Sequence, residues 1–493
     1  MKTTKFSKYV KKLDNFVYTN RKYLILAYLI ISIIFFFLQF KILNNWDMLV
    51  RILNSNYLFH GGSYFENQRA LLESFTIGLL SFVFGAYAVY AFIALFTAIF
   101  FVAVYFFCKA FKIEYILVLG ILLNPFFLFY AIKNGSELPM YSFLILFVSF
   151  IRLKKPIAGL FMALAFVSKY DSLFFLPLYL FIIDRNLLKS VKRILMLIGI
   201  TLLALVPFFV YNALTYHDMF FSFFMSLNQN APAVSSFSVS NASAFYTGFL
   251  ELLVLVPLIF MVIFLNWKKL YRIIKNKIRD IAILSSMAAL SMLIYIFASG
   301  LYVNGLGSYR FFLLFTVSLT LLLSLFTNRK MLLLTVLFFI VSVIIAYHML
   351  LLQPLLSNTL TEQTSAAKTL LIQKYGTDNC TVQSNNWVYL DYYGISATYI
   401  RGVQNYSQYP IINFGKLSGN YTFYGEKDGI YLYTYGISNT KCSFTPVIDL
   451  KYGVNYDINL SRENSSLGCK MLYDKVHSSL VFSMCKFIIK ETN

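Results

Sequence analysis

The chain has 493 residues, of which 59% are hydrophobic, and its mean hydropathy is +0.68. This composition argues against a soluble protein, because apolar runs of about 20 residues recur and each can cross the roughly 30 Å hydrocarbon core of a bilayer. The formal net charge of +21 does not indicate nucleic-acid binding. The Lys and Arg residues cluster in short segments between apolar runs, which is the positive-inside pattern of cytoplasmic loops.

The apolar runs predict nine spans and one re-entrant segment. Seven Lys/Arg residues precede the first run and no small-residue cleavage site follows it, so we interpret it as a retained span after a cytoplasmic N-terminus. Segment 156–183 has basic residues on both flanks, so we expect two half-length helices that turn within the membrane at 168–172. The spans lie near 23–43, 86–108, 113–131, 138–152, 191–213, 248–266, 281–299, 310–327 and 331–352.

These elements predict a polytopic α-helical membrane protein with about 10–11 spans, including the re-entrant pair. Residues 72–85 are apolar but precede a full-length span, so we expect them to form a helix on the outer membrane surface. Counting from the N-terminus places these segments outside the cytoplasm: 44–85, 132–137, 214–247, 300–309 and 353–493. The four outer loops among them hold few Lys or Arg residues, as the topology requires.

The composition changes after Pro354, which divides the chain into a transmembrane domain, 1–354, and an extracytoplasmic soluble domain, 355–493. Residues 357–376 read as an amphipathic helix ended by Gly376. Alternating polar and apolar residues predict strands in 381–390, 429–436 and 479–489. We therefore expect a small α+β or α/β domain on the outer face.

Glycosylation sequons and cysteines support the outer position of this domain. Its N-x-S/T sequons lie at Asn379, Asn405, Asn420, Asn459 and Asn464. Two more, at Asn134 and Asn241, fall in predicted outer loops, and none falls in a predicted cytoplasmic loop. Its cysteines are Cys380, Cys442, Cys469 and Cys485. An oxidising exterior permits two disulfides with three possible pairings, and four buried thiols are the alternative.

Two carboxylates are candidates for chemistry at the outer level. Asp47 follows the first span with Trp46 beside it and could act as a base; the alternative is a solvated carboxylate in a loop. Glu137 opens the 138–152 span and could share a divalent cation, Mg²⁺ or Mn²⁺, with Asp47, or divide base and orienting roles with it. The alternative is structural: Ser136 caps the helix and Glu137 complements its dipole.

Other candidates are charged or polar residues at positions in the membrane where such residues are uncommon. Lys169, Tyr170 and Asp171 lie at the expected intramembrane turn, where ionisable groups are costly and indicate function. The alternative is a mutually satisfied Lys169–Asp171 pair. Arg310 begins a span on the outer side, where its guanidinium could hold a lipid phosphate, or could snorkel as an interfacial anchor.

The order of these features resembles the GT-C superfamily of membrane glycosyltransferases, which includes protein O-mannosyltransferases and lipid A aminoarabinose transferases. The matching segments are Asp47 after the first span, NPFFLFYAIKNGSELPMYSFLILFVSF, KPIAGLFMALAFVSKYDSLFFLPLYLF and SYRFFLLF. The resemblance covers roughly residues 20–330, and AAKTLLIQKYGTDNCTVQSNNWVYLDYYG looks like the outer domain of some members. The chain departs from the family in three ways: Asp47 has no paired acid before Glu66, Tyr309-Arg310 replaces Arg-Tyr, and no WWD motif occurs, which argues against an oligosaccharyltransferase.

The resemblance implies transfer of a sugar, with mannose favoured, from a polyprenyl (dolichyl) phosphate to a hydroxyl of a glycan, lipid or protein outside the cytoplasm, with inversion. Asp47 matches the family's catalytic acid, Glu137 its second outer acidic position and Arg310 its late basic residue. Substrate contacts are further expected from Trp46, Lys169, Tyr170 and Asp171. The alternatives are a transporter or flippase of a lipid-linked sugar, favoured by the broken segment at Lys169, and an inactive scaffold of a surface-glycan pathway.

Overall fold

The computed structural model describes residues 5–43, 45–183, 186–230, 270–301, 308–327, 329–352, 356–400, 406–417, 419, 421–435 and 442–445, with short pieces between 255 and 264. These residues are mostly helical, and they include five helices that are long and apolar enough, by length and composition, to cross a membrane. The five are Arg21–Ile42, Leu72–Phe111, Leu188–Tyr216, Ile278–Tyr295 and Leu332–Leu351. The predicted span at 248–266 lies largely outside the described residues.

The α-helices follow one another along the chain. They are α1 (Lys5–Thr19), α2 (Arg21–Ile42), α3 (Trp46–His60), α4 (Leu72–Phe84), α5 (Ala88–Phe111), α6 (Tyr115–Leu122), α7 (Pro125–Tyr130), α8 (Glu137–Arg152), α9 (Ala158–Ser168), α10 (Leu187–Tyr216), α11 (Phe221–Asn230), α12 (Leu270–Asn276), α13 (Ile278–Leu301), α14 (Ser308–Ser324), α15 (Leu332–Leu351), α16 (Leu356–Tyr375) and α17 (Trp387–Tyr392). The long apolar run Leu72–Phe111 is divided into α4 and α5 at Gly85, whose φ of +52° ends the first helix.

The helical domain has two chemically different ends. At one end Arg152 pairs with Asp280, and Arg279 donates to the Phe181 carbonyl at 2.6 Å, so segments rich in Lys and Arg meet there. The beginning of α8, with Glu137, lies at the other end, about 24 Å away for a helix of 16 residues. Acidic residues near the beginnings of α3 and α4 lie at this second end as well.

Segment 156–183 leaves the basic end and returns to it, as its basic flanks predict. Helix α9 ends at Lys169, whose φ of −159° and ψ of +121° are extended, and a 3₁₀ helix follows over Tyr170–Ile182. The Lys169 ammonium lies 3.2 Å from the Glu137 carboxylate, at the end of α8 opposite to Arg152. The second half-length helix is of the 3₁₀ type, and Pro177 inside it has no N–H for an α-helical hydrogen-bond ladder.

One predicted helical segment differs from the structure, and another agrees with it. The single span expected at 113–131 is wrong, because α6 and α7 are separated at Asn124. Asn124 Oδ1 accepts from the Phe127 amide at 3.0 Å and Pro125 occupies the first turn of α7, so these residues begin a new helix. Helix α4 matches the segment expected on the membrane surface and exposes Phe82 and Val83, but its position on a membrane stays a prediction.

The C-terminal domain contains α16, α17 and a five-stranded sheet in the order β2-β1-β3-β5-β4. The strands are β1 (Val382–Gln383), β2 (Ala397–Thr398), β3 (Ile411–Asn413), β4 (Tyr421–Lys427) and β5 (Ile430–Tyr435). Strand β1 is parallel to β2 and β3, whereas β3, β5 and β4 are antiparallel. Helix α16 buries Ala367, Leu370 and Leu371 in the same core as β1 and β5.

The sequence predicts two of these elements well and one poorly. Helix α16 ends before Gly376, whose φ is +75°, and β5 occupies the predicted strand at 429–436. The strand predicted at 381–390 is wrong after Gln383, because the Asn386 amide donates to the Ser384 hydroxyl in a turn that starts α17. The predicted strand at 479–489 lies outside the described residues.

Candidate functional site

Asp47 lies in the first turn of α3 and not in the expected loop. It is 9% exposed, which argues against a fully solvated carboxylate. Asn45 precedes the helix and donates from its side-chain amide to the carbonyls of Gln39 and Leu43, at 3.0 and 2.8 Å. These bonds fix the turn between α2 and α3 and thereby the direction in which α3 begins.

Arg69, in the connection between α3 and α4, joins Asp47 to a second carboxylate. Its Nη1 lies 2.9 Å from Asp47 Oδ1 and its Nε lies 2.9 Å from Glu66 Oε2. Burial alone would lower the pKa of Arg69, but the Asp47 and Glu66 carboxylates raise this pKa above its ordinary value. Arg69 is therefore a permanent cation, held between two anions and still 25% exposed at its side chain.

A second ion pair lies one helical turn further along α3. Arg51 Nη1 is 2.7 Å from Glu73 Oε2 at the beginning of α4, and both side chains are almost completely buried. The same guanidinium donates to the carbonyls of Ala70 and Asn134, each at 3.1 Å. Arg51 thus connects α3 both to α4 and to the segment before α8.

Glu137, the first residue of α8, is completely buried. Its Oε1 accepts from Lys169 Nζ at 3.2 Å and from Asn134 Nδ2 at 3.3 Å. The expected Ser136 cap is wrong, because the Ser136 side chain makes no capping bond to α8. Lys169 also lies 3.6 Å from Asp171, so the Lys169–Asp171 pair exists but is extended by Glu137.

Aromatic side chains of the C-terminal domain pack against Trp46 and Tyr64, beside this layer of carboxylates and cations. Trp46, next to Asp47, packs edge to face against Trp387 and Tyr389, at centroid distances of 4.7 and 5.1 Å. Trp387 Nε1 donates to the Tyr64 hydroxyl at 3.0 Å, and that hydroxyl donates to Glu66. Hydrogen bonds and ion pairs therefore run from the C-terminal domain through Glu66 and Arg69 to Asp47.

The structure thus gathers side chains that are up to 124 positions apart in the sequence. The carboxylates are Asp47, Glu66, Glu73, Glu137 and Asp171, and the cations are Arg51, Arg69 and Lys169. No sequence pattern singled out Arg51, Arg69 or Glu73 as site residues. A signal existed: Arg51 and Arg69 are cations in a predicted outer segment, where the positive-inside trend disfavours them, as it does Arg310.

Tyr170 differs from the other candidates, because it adjoins this layer through Lys169 but packs with aromatic rings. Tyr170 is buried against the rings of Phe208 and Phe223, at 6.1 and 5.7 Å, so its ring contributes to an aromatic cluster. Arg310 lies in the first turn of α14, but its side chain lies outside the described part of the chain. Its phosphate-binding role stays a prediction.

A metal site formed by Asp47 and Glu137 has little geometric support. Each carboxylate faces a different cation, Arg69 or Lys169, at 2.9 and 3.2 Å. Among the described residues, no group of three or more His, Cys, Asp or Glu side chains could hold a metal ion.

Cys380 and Cys442 form a disulfide, whereas Cys108 is a buried free thiol. Cys469 and Cys485 lie outside the described residues. Among the predicted glycosylation sites, Asn379 is exposed, and Asn405, Asn420, Asn459 and Asn464 lie outside the described residues. The additional sequon at Asn134 has its amide engaged by Glu137.

Comparisons of the chain with protein-family models, with curated proteins and with solved structures found no match. The site's geometry must therefore support any functional conclusion by itself.

Proposed function

We propose that the chain is a polytopic membrane glycosyltransferase of the GT-C type, acting at the extracytoplasmic surface on a polyprenyl-phosphate sugar. The observation that carries this proposal is the buried layer of ion-paired carboxylates around Asp47, beneath the aromatic side chains of the C-terminal domain. The layer lies at the end of the bundle opposite to the basic segments around Arg152 and Arg279. With the positive-inside trend, that arrangement favours a cytoplasmic basic end and an outer site.

In the proposed reaction Asp47 accepts the proton of the acceptor hydroxyl as its oxygen attacks the anomeric carbon. The bond between that carbon and the phosphate oxygen breaks, and polyprenyl phosphate leaves from the opposite face, with inversion. Positive charge develops on the sugar in an oxocarbenium-like transition state, and the carboxylate-rich layer stabilises it. Arg69 orients the Asp47 carboxylate before the acceptor arrives.

The test is transfer from radiolabelled polyprenyl-phosphate mannose to a panel of glycan, lipid and protein acceptors, using membranes that contain the protein. Asp47→Asn retains an oxygen that can accept from Arg69, so folding should be preserved. Turnover should nevertheless fall about 10²-fold or more, the usual scale for a lost base. Asp428→Asn, an exposed position in the β4–β5 turn, is the matched control. Turnover of Asp47→Asn within a few-fold of wild type would exclude Asp47 as the base.

A transporter of lipid-linked sugars is the second candidate, because the helix is interrupted at Lys169 beside buried carboxylates. The Asp47→Asn variant separates the two functions. A transporter would move labelled lipid-linked sugar across sealed vesicles without forming a glycosylated product, and it has no chemical step that needs a base at residue 47.

A further inference from the structure

Two fully buried carboxylates in the layer each have one oxygen without a hydrogen-bond donor. Glu73 uses Oε2 for Arg51, and Glu137 uses Oε1 for Lys169 and Asn134. Glu73 Oε1 and Glu137 Oε2 have no hydrogen-bond partner among the residues that the structure describes. Both residues are 0% exposed, and Arg51 connects them, because it pairs with Glu73 and donates to the carbonyl of Asn134, whose side-chain amide donates to Glu137.

Each of these two carboxyl groups already has a cation beside it, so its second oxygen lacks only a hydrogen-bond donor. Glu73 is already ion-paired with Arg51, and Glu137 with Lys169. A buried acceptor without a donor is costly even when the charge of its group is balanced. A neutral ligand with several hydroxyl groups satisfies such acceptors without upsetting the ion pairs, whereas a further cation would compete with Arg51 and Lys169.

The two carboxylates are also fixed relative to Asp47. Arg51 lies four residues after Asp47 on α3, so both side chains project from the same helix face. Gly135 has a φ of +79°, and a Cβ there would come within 2.6 Å of Met48 Sδ and 2.9 Å of Arg51 Cδ. The segment that carries Glu137 therefore packs directly on α3, beside the turn that holds Asp47.

We infer that Glu73 and Glu137 form the subsite for the donor sugar and accept hydrogen bonds from its ring hydroxyls. This inference rests on the proposed function and adds to it the residues that recognise the sugar. Because a buried acceptor without a donor is costly, a donor lipid without the matching hydroxyls leaves a buried carboxyl oxygen unpaired and is rejected.

The experiment measures donor binding, so it requires no acceptor. Purified full-length protein in nanodiscs is titrated with short-chain polyprenyl phosphate carrying mannose, glucose or no sugar. Wild-type protein should bind at least one of the two sugar-bearing lipids more tightly than the bare phosphate. In Glu73→Gln and in Glu137→Gln this preference should fall about tenfold or more, with the affinity for bare polyprenyl phosphate retained.

Glu114→Gln is the matched control, because Glu114 is an exposed carboxylate just after the end of α5. Helices α5 and α8 run in the same direction, since Phe96 packs on Phe143 and Phe106 on Phe150, so Glu114 lies at the Arg152 end. Its substitution should leave the sugar preference unchanged. Glu137→Asp keeps the negative charge but shortens the side chain, so it is less prone to unfold the protein than Glu137→Gln. It should also reduce the sugar preference.

The outcomes separate this inference from the function on which it rests. Equal loss of affinity for all three lipids in the Gln variants would make Glu73 and Glu137 structural and overturn the subsite. Wild-type protein that binds bare polyprenyl phosphate but shows no preference for a sugar would also overturn it, leaving the lipid-phosphate donor intact. Wild-type protein that binds none of the lipids would overturn the proposed function together with the subsite.

Discussion

The contact between the two domains can be tested by measuring protein stability, without any substrate. Trp387 of α17 donates to the Tyr64 hydroxyl, which in turn donates to Glu66 beneath it. Glu66 is 3% exposed, so water cannot readily replace a lost donor. If the C-terminal domain is docked in solution as in the structure, Trp387→Phe and Tyr64→Phe should destabilise the protein in a mutually dependent way.

The expected magnitudes follow from the two hydrogen bonds. Trp387→Phe removes a neutral donor and should cost about 0.5–1.5 kcal/mol, together with any loss of ring contact to Trp46. Tyr64→Phe removes a donor from a buried carboxylate and should cost about 1.5–3 kcal/mol. Because Tyr64→Phe already removes the acceptor of Trp387, the double variant should be less destabilised than the sum, with a coupling of about 1 kcal/mol.

The free energy of unfolding can be measured by pulse proteolysis of purified full-length protein in micelles. Tyr399→Phe is the matched control: its ring lies 5.1 Å from Trp387, but the residue is 45% exposed, so loss of its hydroxyl should change stability by less than about 0.5 kcal/mol. Strictly additive effects of Trp387→Phe and Tyr64→Phe would refute the interdomain hydrogen bond, and with it the docked position of the C-terminal domain over Asp47.

Two further predictions concern pH and helix packing. Burial raises the pKa of Asp391 well above its ordinary value, so the folded domain should lose stability as pH rises from about 3.9 through the folded-state pKa. Asp391→Asn should therefore raise the free energy of unfolding at neutral pH and flatten its dependence on pH, whereas Asp428→Asn should change neither. A Cβ on Gly159 would collide with the Leu197 carbonyl of α10, so Gly159→Ala should lower the free energy of unfolding in urea by about 1–3 kcal/mol. A Cβ on Gly199 meets no atom within 4 Å, so Gly199→Ala should cause no such loss.

The elements that the sequence predicts well are those set by local chemistry. Gly376 ends α16 where an L-residue would be strained, and the basic flanks of 156–183 correctly predict that both its ends lie at one end of the bundle. The interruption within the predicted span at 113–131 has an equally local cause, because hydropathy does not register the helix start at Asn124 and Pro125.

The partners within the candidate site could not be predicted in the same way. The pairs Asp47–Arg69 and Glu137–Lys169 join residues 22 and 32 positions apart, and only the packing of α3, α8 and α9 decides which cation meets which carboxylate. Hydropathy and motif order selected Asp47, Glu137 and Lys169 individually. The contribution of Trp387 required knowledge of how the C-terminal domain docks, which no pattern within 355–493 contains.

Under the proposed function, the charge balance of the site bears on where the phosphate of the donor would bind. In the described layer five carboxyl groups outnumber three cations, so negative groups are in excess. This excess suits a cationic sugar in the transition state but repels a phosphate, so we expect the phosphate to lie against a further cation. Arg310 is the candidate: Phe312, two residues later, packs on Tyr295, far along α13 from its Asp280 end.

Substitution of Arg310 tests this argument through donor affinity. Because a guanidinium can bind two phosphate oxygens at once, Arg310→Lys should weaken binding of polyprenyl-phosphate sugar and Arg310→Gln should weaken it further, by about ten- to a hundred-fold. The acceptor's KM should change much less. Arg329→Gln serves as the control. The Arg329 guanidinium stacks on Tyr18, and the carbonyl of Leu325, four residues earlier, accepts from Lys277 near Asp280, at the Arg152 end. Wild-type donor affinity in Arg310→Gln would mean that the phosphate is held elsewhere, and Lys169 would then have to exchange Glu137 for the phosphate during each turnover.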